Sequence, residues 1–168
     1  MTSSRTRYLL MAAAMMSGLL AGADLDREIV AMPAWQQIDA VAWATFSRHA
    51  DLGNGLVLYP LEAIGSFVLI LAATGSLYLE RVSRGPVALS LYGAVLVAAA
   101  GLLCTLKAAP IMLSISGLDD PAALGQAFEG FRYWGGIRAV CQVLAFFATV
   151  LALAKMGQPS HQAGSSRR

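Results

Sequence analysis

The sequence predicts an all-α fold, a transmembrane four-helix bundle built as two helical hairpins with long outer loops. The composition supports this prediction, since 57% of the 168 residues are hydrophobic and only 13% are charged. Four stretches are largely free of charge: 8–23, 56–79, 86–109 and 136–154. About 20 apolar residues in a helix cross the roughly 30 Å hydrocarbon core of a bilayer. The stretches therefore predict a transmembrane domain over 8–155, with spans at about 8–32, 56–79, 86–109 and 135–155.

The first span follows a short N-terminus, residues 1–7, that carries two arginines. The apolar run from Tyr8 and the small residues 21–23 also fit a cleavable signal peptide. However, Asp24, Arg27 and Glu28 are spaced i, i+3, i+4 and share one helical face. Apolar character then resumes before a proline, so we expect an uncleaved first helix.

Prolines mark limits of the first three predicted spans. Proline disfavours helical geometry in the residue before it, so we expect helix one to end before Pro33 and helix three before Pro110. Pro60, in the first turn of helix two, is tolerated there. Pro86 opens helix three in the same way.

The two predicted outer loops, about 33–55 and 110–133, contain helical signals of their own. Segment 35–48 is predicted as a short amphipathic helix, because apolar side chains recur at helical spacing. Asp120 before Pro121 is a typical helix start, with an acid at the cap and proline at the first position. The face of the first of these helices is predicted to carry Trp35, Ile38, Ala42 and Phe46.

Charge asymmetry predicts the orientation in the membrane. The termini and the 80–86 turn together carry seven basic residues and one acidic residue, whereas the rest of the chain carries five basic and nine acidic residues. The positive-inside rule therefore predicts a multi-pass inner (plasma) membrane protein with both termini in the cytoplasm. The polar tail over 156–168 is predicted to be a disordered cytoplasmic segment.

Several classes of function lack a signal in this sequence. A net charge of +2 without a basic stripe argues against a nucleic-acid partner. Cys104 and Cys141 have no metal-binding or redox spacing, so we interpret them as buried small hydrophobes, with a bond between helices three and four as the alternative. There is no phosphate-binding glycine loop or cofactor fingerprint, and we expect no cofactor and no metal.

Ionisable residues gather at the outer ends of the predicted spans. A charge in a span costs about 2.5–3.5 kcal/mol at the bilayer centre, so these side chains should face the bundle interior and pair. We expect Glu62 to pair with Arg138 and Glu28 with Lys107. The set forms either a structural salt-bridge network or the polar floor of a cavity. Its members are Asp24, Arg27, Glu28, Glu62, Lys107 and Arg138, with His49 on the adjoining loop.

If the cavity is catalytic, Glu62, His49 and Arg138 are the candidate catalytic residues. Histidine is the best proton acceptor near neutral pH, although its ring on a loop more commonly bonds a neighbour such as Asp51 or a backbone carbonyl. One histidine outside the tail is too few for a metal site. Trp134 and Gln142 lie one turn on either side of Arg138 and extend the pocket or network.

Four motifs carry a resemblance to a known family: Met32-Pro33, Tyr59-Pro60-Leu61, Ala109-Pro110 and Trp134-x-x-x-Arg138. Together they resemble the anthrone oxygenase-like family of small four-helix membrane proteins, most of unknown function. The resemblance spans residues 8–154. It implies a four-helix bundle and, for the members that name the family, cofactor-independent oxygenation of an electron-rich polycyclic phenol.

Two functions fit these residues, one enzymatic and one not. The first is an oxygenase-like protein that acts on a small hydrophobic molecule in a pocket near the outer leaflet. The second is a non-enzymatic membrane subunit or partner-binding protein held by a salt-bridge network. Small-residue helix faces, Gly18/Gly22 and Ala94/Ala98, would let helices approach closely in a homo- or hetero-oligomer.

Overall fold

The computed structural model describes residues 4–80 and 85–157, and this part of the chain is almost entirely helical. The predicted all-α, four-helix fold is confirmed. The described residues form six α-helices, two π-helical segments and one 3₁₀ turn. In chain order these are α1 (Ser4–Asp26), the π-helical Arg27–Ala31, α2 (Met32–Gln37), α3 (Ala40–His49), the π-helical Ala50–Asn54, α4 (Gly55–Leu79), α5 (Pro86–Ser114), the 3₁₀ turn Ile115–Gly117 and α6 (Pro121–Met156).

The lengths and surfaces of these helices are those of an integral membrane protein. Four helical segments of the described chain are long and apolar enough to cross a bilayer, with mean hydropathies from 1.5 to 2.2. Large apolar side chains cover the outside of the bundle; Leu79 is 80% exposed and Val57 73%. Soluble monomers rarely show contiguous apolar surface on this scale, whereas a bilayer covers it.

Both described ends of the chain lie at the same end of the bundle, as an even number of spans requires. Leu10 of α1, Leu77 of α4, Leu91 of α5 and Ala152 of α6 form one buried cluster there. We call this the terminal end and the opposite one the loop end. The predicted tail from residue 158 onward and residues 81–84 of the predicted turn lie outside the described residues.

Around the bundle the order of the long helices is α1, α4, α5, α6, and α4 and α5 are the least closely packed neighbours. α1 and α4 are joined by hydrogen bonds between buried hydroxyls. Those of Thr6 and Ser76 lie 2.7 Å apart, and those of Ser17 and Ser66 3.0 Å apart. Interhelical hydrogen bonds of this kind stabilise membrane bundles in which hydrophobic burial contributes little.

The small-residue faces are largely used inside the bundle. Ala94 and Ala98 are buried in the core of a single chain. A Cβ atom on Gly18 would lie 3.1 Å from Cε2 of Phe146, so this glycine lets α1 approach α6. Oligomerisation through these faces stays a prediction.

The predicted end of helix three before Pro110 is wrong, because α5 continues through this proline to Ser114. Transmembrane helices tolerate proline where the neighbouring structure satisfies the freed backbone groups. The predicted start at Asp120 is correct, since its side chain accepts a hydrogen bond from the backbone N–H of Ala123 at 3.0 Å. α6 then runs without a break to Met156, so most of the predicted loop 110–133 is helix.

The predicted amphipathic helix 35–48 is divided into α2 and α3. Asp39 has an extended backbone and accepts a hydrogen bond from the Ala42 N–H at 2.6 Å, which caps α3 and restarts the helix. Because of this restart, the buried face of α3 carries Trp43 and Ser47 rather than Phe46. The predicted face is therefore wrong.

α3 is anchored at the loop end by an aromatic contact and by an arginine. Trp43 packs with its ring centroid 5.1 Å from that of Phe128 on α6. Arg48 donates from Nε to the Ile115 carbonyl oxygen at 2.9 Å and from Nη2 to the Leu118 carbonyl oxygen. These carbonyls lie at and beyond the end of α5, where backbone acceptors lack helical partners.

Candidate functional site

The candidate site is a cavity of about 520 Å³ in the half of the bundle nearest the loop end. Its walls come from α1, α4, α5 and α6, and most of the lining is apolar. A volume of 300–1,000 Å³ with a few convergent polar groups is typical of small-molecule sites. The charged, phenolic and amide side chains that line it are Arg27, Asp51, Tyr59, Glu62, Arg138 and Gln142.

The cavity has an opening on the side of the bundle, between α4 and α5. Leu56 and Ile64 of α4 line it and are more than half exposed, as are Leu106 and Leu113 of α5. Residues that both line a cavity and face outward form its mouth. The mouth therefore opens onto the exposed apolar surface of the bundle.

Arg27 and Asp51 form the first ion pair of the site. Nη2 of Arg27 lies 2.5 Å from Oδ1 of Asp51 and donates a second hydrogen bond to the Tyr59 hydroxyl at 2.9 Å. The two charged side chains are only 13% and 3% exposed. The guanidinium carbon also lies 4.8 Å from the ring centroid of Tyr59 and 5.6 Å from that of Phe131. The buried charge is thus paired, hydrogen-bonded and placed over aromatic faces.

Two irregular segments of backbone bring this pair together. Arg27 begins the π-helical segment that follows α1, and Asp51 lies in the one that precedes α4. π-helical turns occur often at functional sites, because they change the direction of side chains on an otherwise regular helix. A Cβ atom on Gly55 would lie 2.8 Å from the Ala50 carbonyl oxygen, so the second turn needs glycine at this position.

Arg138 and Asp24 form the second ion pair, which joins α6 to α1. Nη2 of Arg138 lies 2.6 Å from Oδ1 of Asp24, and the side chains are 15% and 5% exposed. The predicted Glu62–Arg138 pair is therefore wrong. α1 contacts both α4 and α6, and its acidic residue is closer to the arginine than the glutamate of α4 is.

The predicted Glu28–Lys107 pair is also wrong. Lys107 is exposed on α5 and does not line the cavity. The Glu28 carboxylate lies against the backbone of α6, where a Cβ atom on Gly135 would be 3.1 Å from Oε1. α1 and α5 lie on opposite sides of the bundle, with α4 and α6 between them.

Several polar atoms of the site are buried without a hydrogen-bond partner in the described part of the chain. They are Oδ2 of Asp24, Oδ2 of Asp51, Oε2 of Glu62 and Nε of Arg138. An unsatisfied buried polar atom costs about 1–3 kcal/mol. Asp51, Glu62 and Arg138 also line the cavity, so its wall contains residues with unsatisfied polar atoms.

Of the two predicted neighbours of Arg138 on α6, Gln142 extends the site and Trp134 does not. Gln142 is buried and lines the cavity, and a Cβ atom on Gly101 would lie 2.7 Å from its Nε2. Gly101 of α5 therefore makes room for this amide. Trp134 packs against the hydrophobic cluster at the loop end and does not line the cavity.

His49 lies apart from the other two candidate catalytic residues. It is exposed on α3 and donates from Nδ1 to the Thr45 carbonyl oxygen at 2.8 Å, the backbone-carbonyl alternative considered from the sequence. It does not line the cavity, whereas Glu62 and Arg138 do. The structure thus brings two of the three candidates together.

Sequence reasoning missed Asp51, Tyr59 and Phe131 as site residues. Asp51 was considered only as a neighbour of His49, because it precedes the predicted second span. The pairing of Arg27 with it depends on the π-helical turn before Gly55, which no spacing rule indicates. Tyr59 is part of the quoted Tyr59-Pro60-Leu61 motif, and that motif was the available signal.

Metal and thiol chemistry have little support at this site. No cluster of three or more His, Cys, Asp or Glu side chains suited to a metal ion occurs within residues 4–80 and 85–157. Cys104 and Cys141 are both free thiols, so the alternative of a bond between them is not realised.

No protein-family model, curated protein or solved structure matches this chain.

Proposed function

We propose that the protein binds a small hydrophobic molecule, which enters the cavity from the lipid through the mouth between α4 and α5. The observation that supports this most is a cavity of about 520 Å³ whose mouth residues lie on the exposed apolar surface of the bundle. A molecule dissolved in the bilayer reaches such a mouth without crossing water. The aromatic rings of Tyr59 and Phe131 in its wall suit a flat or ring-bearing ligand.

The second candidate is a non-enzymatic membrane subunit that uses the charged residues only for structure. The two buried ion pairs favour it, because they join α1 to α6 and to the segment before α4. A purely structural network, however, gives no reason for a cavity beside it. It also gives no reason for the unpartnered Oε2 of Glu62.

The oxygenase-like activity implied by the family resemblance is the catalytic form of the first proposal. Glu62 lines an apolar cavity as a carboxylate with one unpartnered oxygen. A carboxylate in this setting can remove a proton from a phenol or from an activated ring carbon. Dioxygen would then convert a ring CH₂ group into a carbonyl, with release of one water. No cofactor is required by this balance.

For the orientation, we propose that the terminal end faces the cytoplasm of the inner (plasma) membrane. The support is the excess of basic residues near the termini and in the 80–86 turn. The cavity would then lie near the outer leaflet. Reporter fusions at both termini test this: cytoplasmic activity of both reporters is expected, and periplasmic activity of either contradicts it.

Filling the cavity tests the binding proposal. Ala109 of α5 lines the cavity, whereas Ala100 of the same helix is exposed and does not. The probe is tritiated 2-naphthylmethanol, with the protein in lipid nanodiscs and binding to empty nanodiscs subtracted. We expect Ala109→Trp to lower the affinity at least tenfold and Ala100→Trp to leave it unchanged. Equal binding by the two variants contradicts the proposal.

A further inference from the structure

We infer that the ligand of this cavity carries a hydrogen-bond-donating head, a hydroxyl or an amine, and no acidic group. This inference rests on the proposed function and adds the chemical class of the ligand. It depends on three properties of the polar residues that line the cavity, which we call the polar wall. These are its unpartnered acceptor atoms, its charge balance and the accessibility of its arginines.

Among the buried, unpartnered polar atoms of the described residues that line the cavity, two are acceptors and one is a donor. Oδ2 of Asp51 and Oε2 of Glu62 are buried and have no hydrogen-bond partner among the described residues. Both residues line the cavity, and the Asp51 side chain is only 3% exposed. A ligand that donates hydrogen bonds removes the cost of these unsatisfied atoms. A ligand that only accepts leaves it in place.

The charge balance of the wall opposes an acidic ligand. Arg27 and Arg138 are each paired with one aspartate, while Glu62 is in none of the ion pairs of the described chain. The site thus holds one more acid than base, before Glu28 is counted. A second negative group in this apolar setting would be buried without compensation, which is costly. A neutral hydroxyl or a cationic amine avoids this cost.

Both arginines already donate to an aspartate, which leaves them fewer N–H groups for a carboxylate or phosphate. Nη2 of Arg27 already donates to Asp51 and to the Tyr59 hydroxyl, and Nη2 of Arg138 donates to Asp24. The strong two-pronged contact that arginine makes with anions needs two parallel N–H groups. The unpartnered donor named above, Nε of Arg138, is a single N–H group. It suits the oxygen of a hydroxyl, which can both accept from arginine and donate to a carboxylate.

The apolar mouth fixes how such a molecule lies. Arg138 and Gln142 of α6 and Glu62 of α4 are among the polar residues of the wall, and the exposed leucines and isoleucine of α4 and α5 form the mouth. The head therefore points inward to Glu62 and Arg138. The hydrophobic body lies toward the mouth, in contact with the bilayer.

A matched series of naphthalenes separates head-group choice from simple cavity binding. The probes are 2-naphthylmethanol, 2-naphthylmethylamine, 2-naphthoic acid and 2-methylnaphthalene, used as competitors of the tritiated alcohol at pH 7 in nanodiscs, with corrections for their partition into lipid. We expect the alcohol and the amine to compete at least tenfold more strongly than the acid and the headless hydrocarbon. The relative strength of the alcohol and the amine distinguishes the two kinds of head group. The alcohol competes more strongly than the amine if Nε of Arg138 takes part.

Equal competition by all four compounds overturns the head-group inference and leaves the binding proposal intact. Absence of saturable binding by any of them contradicts the proposed function itself. Stronger competition by the acid overturns the inference directly.

A conservative variant tests whether Glu62 causes the preference for the alcohol over the acid. Glu62→Gln keeps the size of the side chain but removes its charge and one acceptor oxygen. We expect it to reduce the ratio of alcohol to acid affinity at least fivefold. Glu129→Gln is the matched control, because Glu129 is an exposed acid on α6 outside the cavity. An unchanged ratio in Glu62→Gln, with the fold intact by circular dichroism, contradicts the assignment to Glu62.

Discussion

The guanidinium of Arg27 and the carboxylate of Asp51 lie 2.5 Å apart and belong to the two π-helical segments of the chain. Each segment adjoins a membrane-length helix, so the pair joins the loop-end limits of α1 and α4. It also forms part of the wall of the cavity. The irregular backbone, the buried ion pair and the binding site are therefore one structural feature.

We expect the contributions of Arg27 and Asp51 to the free energy of unfolding to be strongly coupled. Breaking a buried pair from one side costs about 3–5 kcal/mol, because the remaining charge is uncompensated. We expect a cost of this size for Arg27→Met and for Asp51→Leu, and a much smaller cost for the double variant than for the two added together. The free energy of unfolding in mixed micelles measures each value. Additive costs would show that the two charges do not stabilise one another.

Loss of the buried Arg138–Asp24 ion pair is expected to reduce stability more than loss of an exposed ion pair on α6. Asp24→Asn leaves the buried Arg138 without its anion and should cost about 3 kcal/mol or more. Glu129→Gln removes an exposed pair with Arg132 and should cost about 1 kcal/mol or less. Thermal unfolding of both variants in the same detergent makes the comparison. Similar losses in the two would contradict the burial of Asp24.

Two glycines of α4 are predicted to respond in opposite directions to alanine. A Cβ atom on Gly55 would lie 2.6 Å from Cε2 of Tyr59 and 2.8 Å from a backbone carbonyl oxygen, whereas Gly75 has open space around it. Gly55→Ala should cost about 1–3 kcal/mol through overpacking. Gly75→Ala should stabilise the helix by about 0.5–1 kcal/mol. Unfolding temperatures of the two variants test this, and a loss at both positions would be inconsistent with the close contact at Gly55 alone.

Arg48 is predicted to hold α3 against the turn that follows α5. Lysine has a single nitrogen and lacks the planar fork from which Nε and Nη2 of Arg48 reach two separate carbonyl oxygens. A hydrogen bond to a charged group is worth about 1.5–3 kcal/mol. Arg48→Lys should therefore speed amide hydrogen exchange in α3 while leaving α4 and α6 unchanged. The exposed Arg132 supplies the control, Arg132→Lys. Unchanged exchange in α3 would mean that Trp43 anchors the helix without help.

The sequence was sufficient for the fold, because four apolar stretches of membrane length permit few arrangements. Local helix chemistry was also readable where one residue decides it, as at Asp120. Pro110 was read incorrectly, because the restriction on the residue before proline is a steric preference. Transmembrane helices tolerate proline where neighbouring structure satisfies the freed backbone groups.

The membership of the site was predictable in part, and its pairing was not. The expectation that charges in spans meet inside the bundle identified Arg27, Glu62 and Arg138. Which acid meets which base depends on the order of helices around the bundle and on two π-helical turns. Neither leaves a periodic signal in the sequence. Glu62 was assigned to Arg138 for this reason, although Asp24 occupies that position.

Closing the mouth between α4 and α5 shows whether a ligand reaches the cavity from the lipid. Ile64→Cys and Leu106→Cys, in a Cys104→Ala, Cys141→Ala background, place thiols on its two sides. A bifunctional maleimide with a reducible spacer then joins α4 to α5, and single-cysteine proteins treated with the same reagent are the controls. We expect the joined protein to take up 2-naphthylmethanol from nanodisc lipid at least tenfold more slowly than the controls. Reduction of the spacer should restore the rate of uptake. Uptake at the same rate in the joined, reduced and control proteins would contradict it.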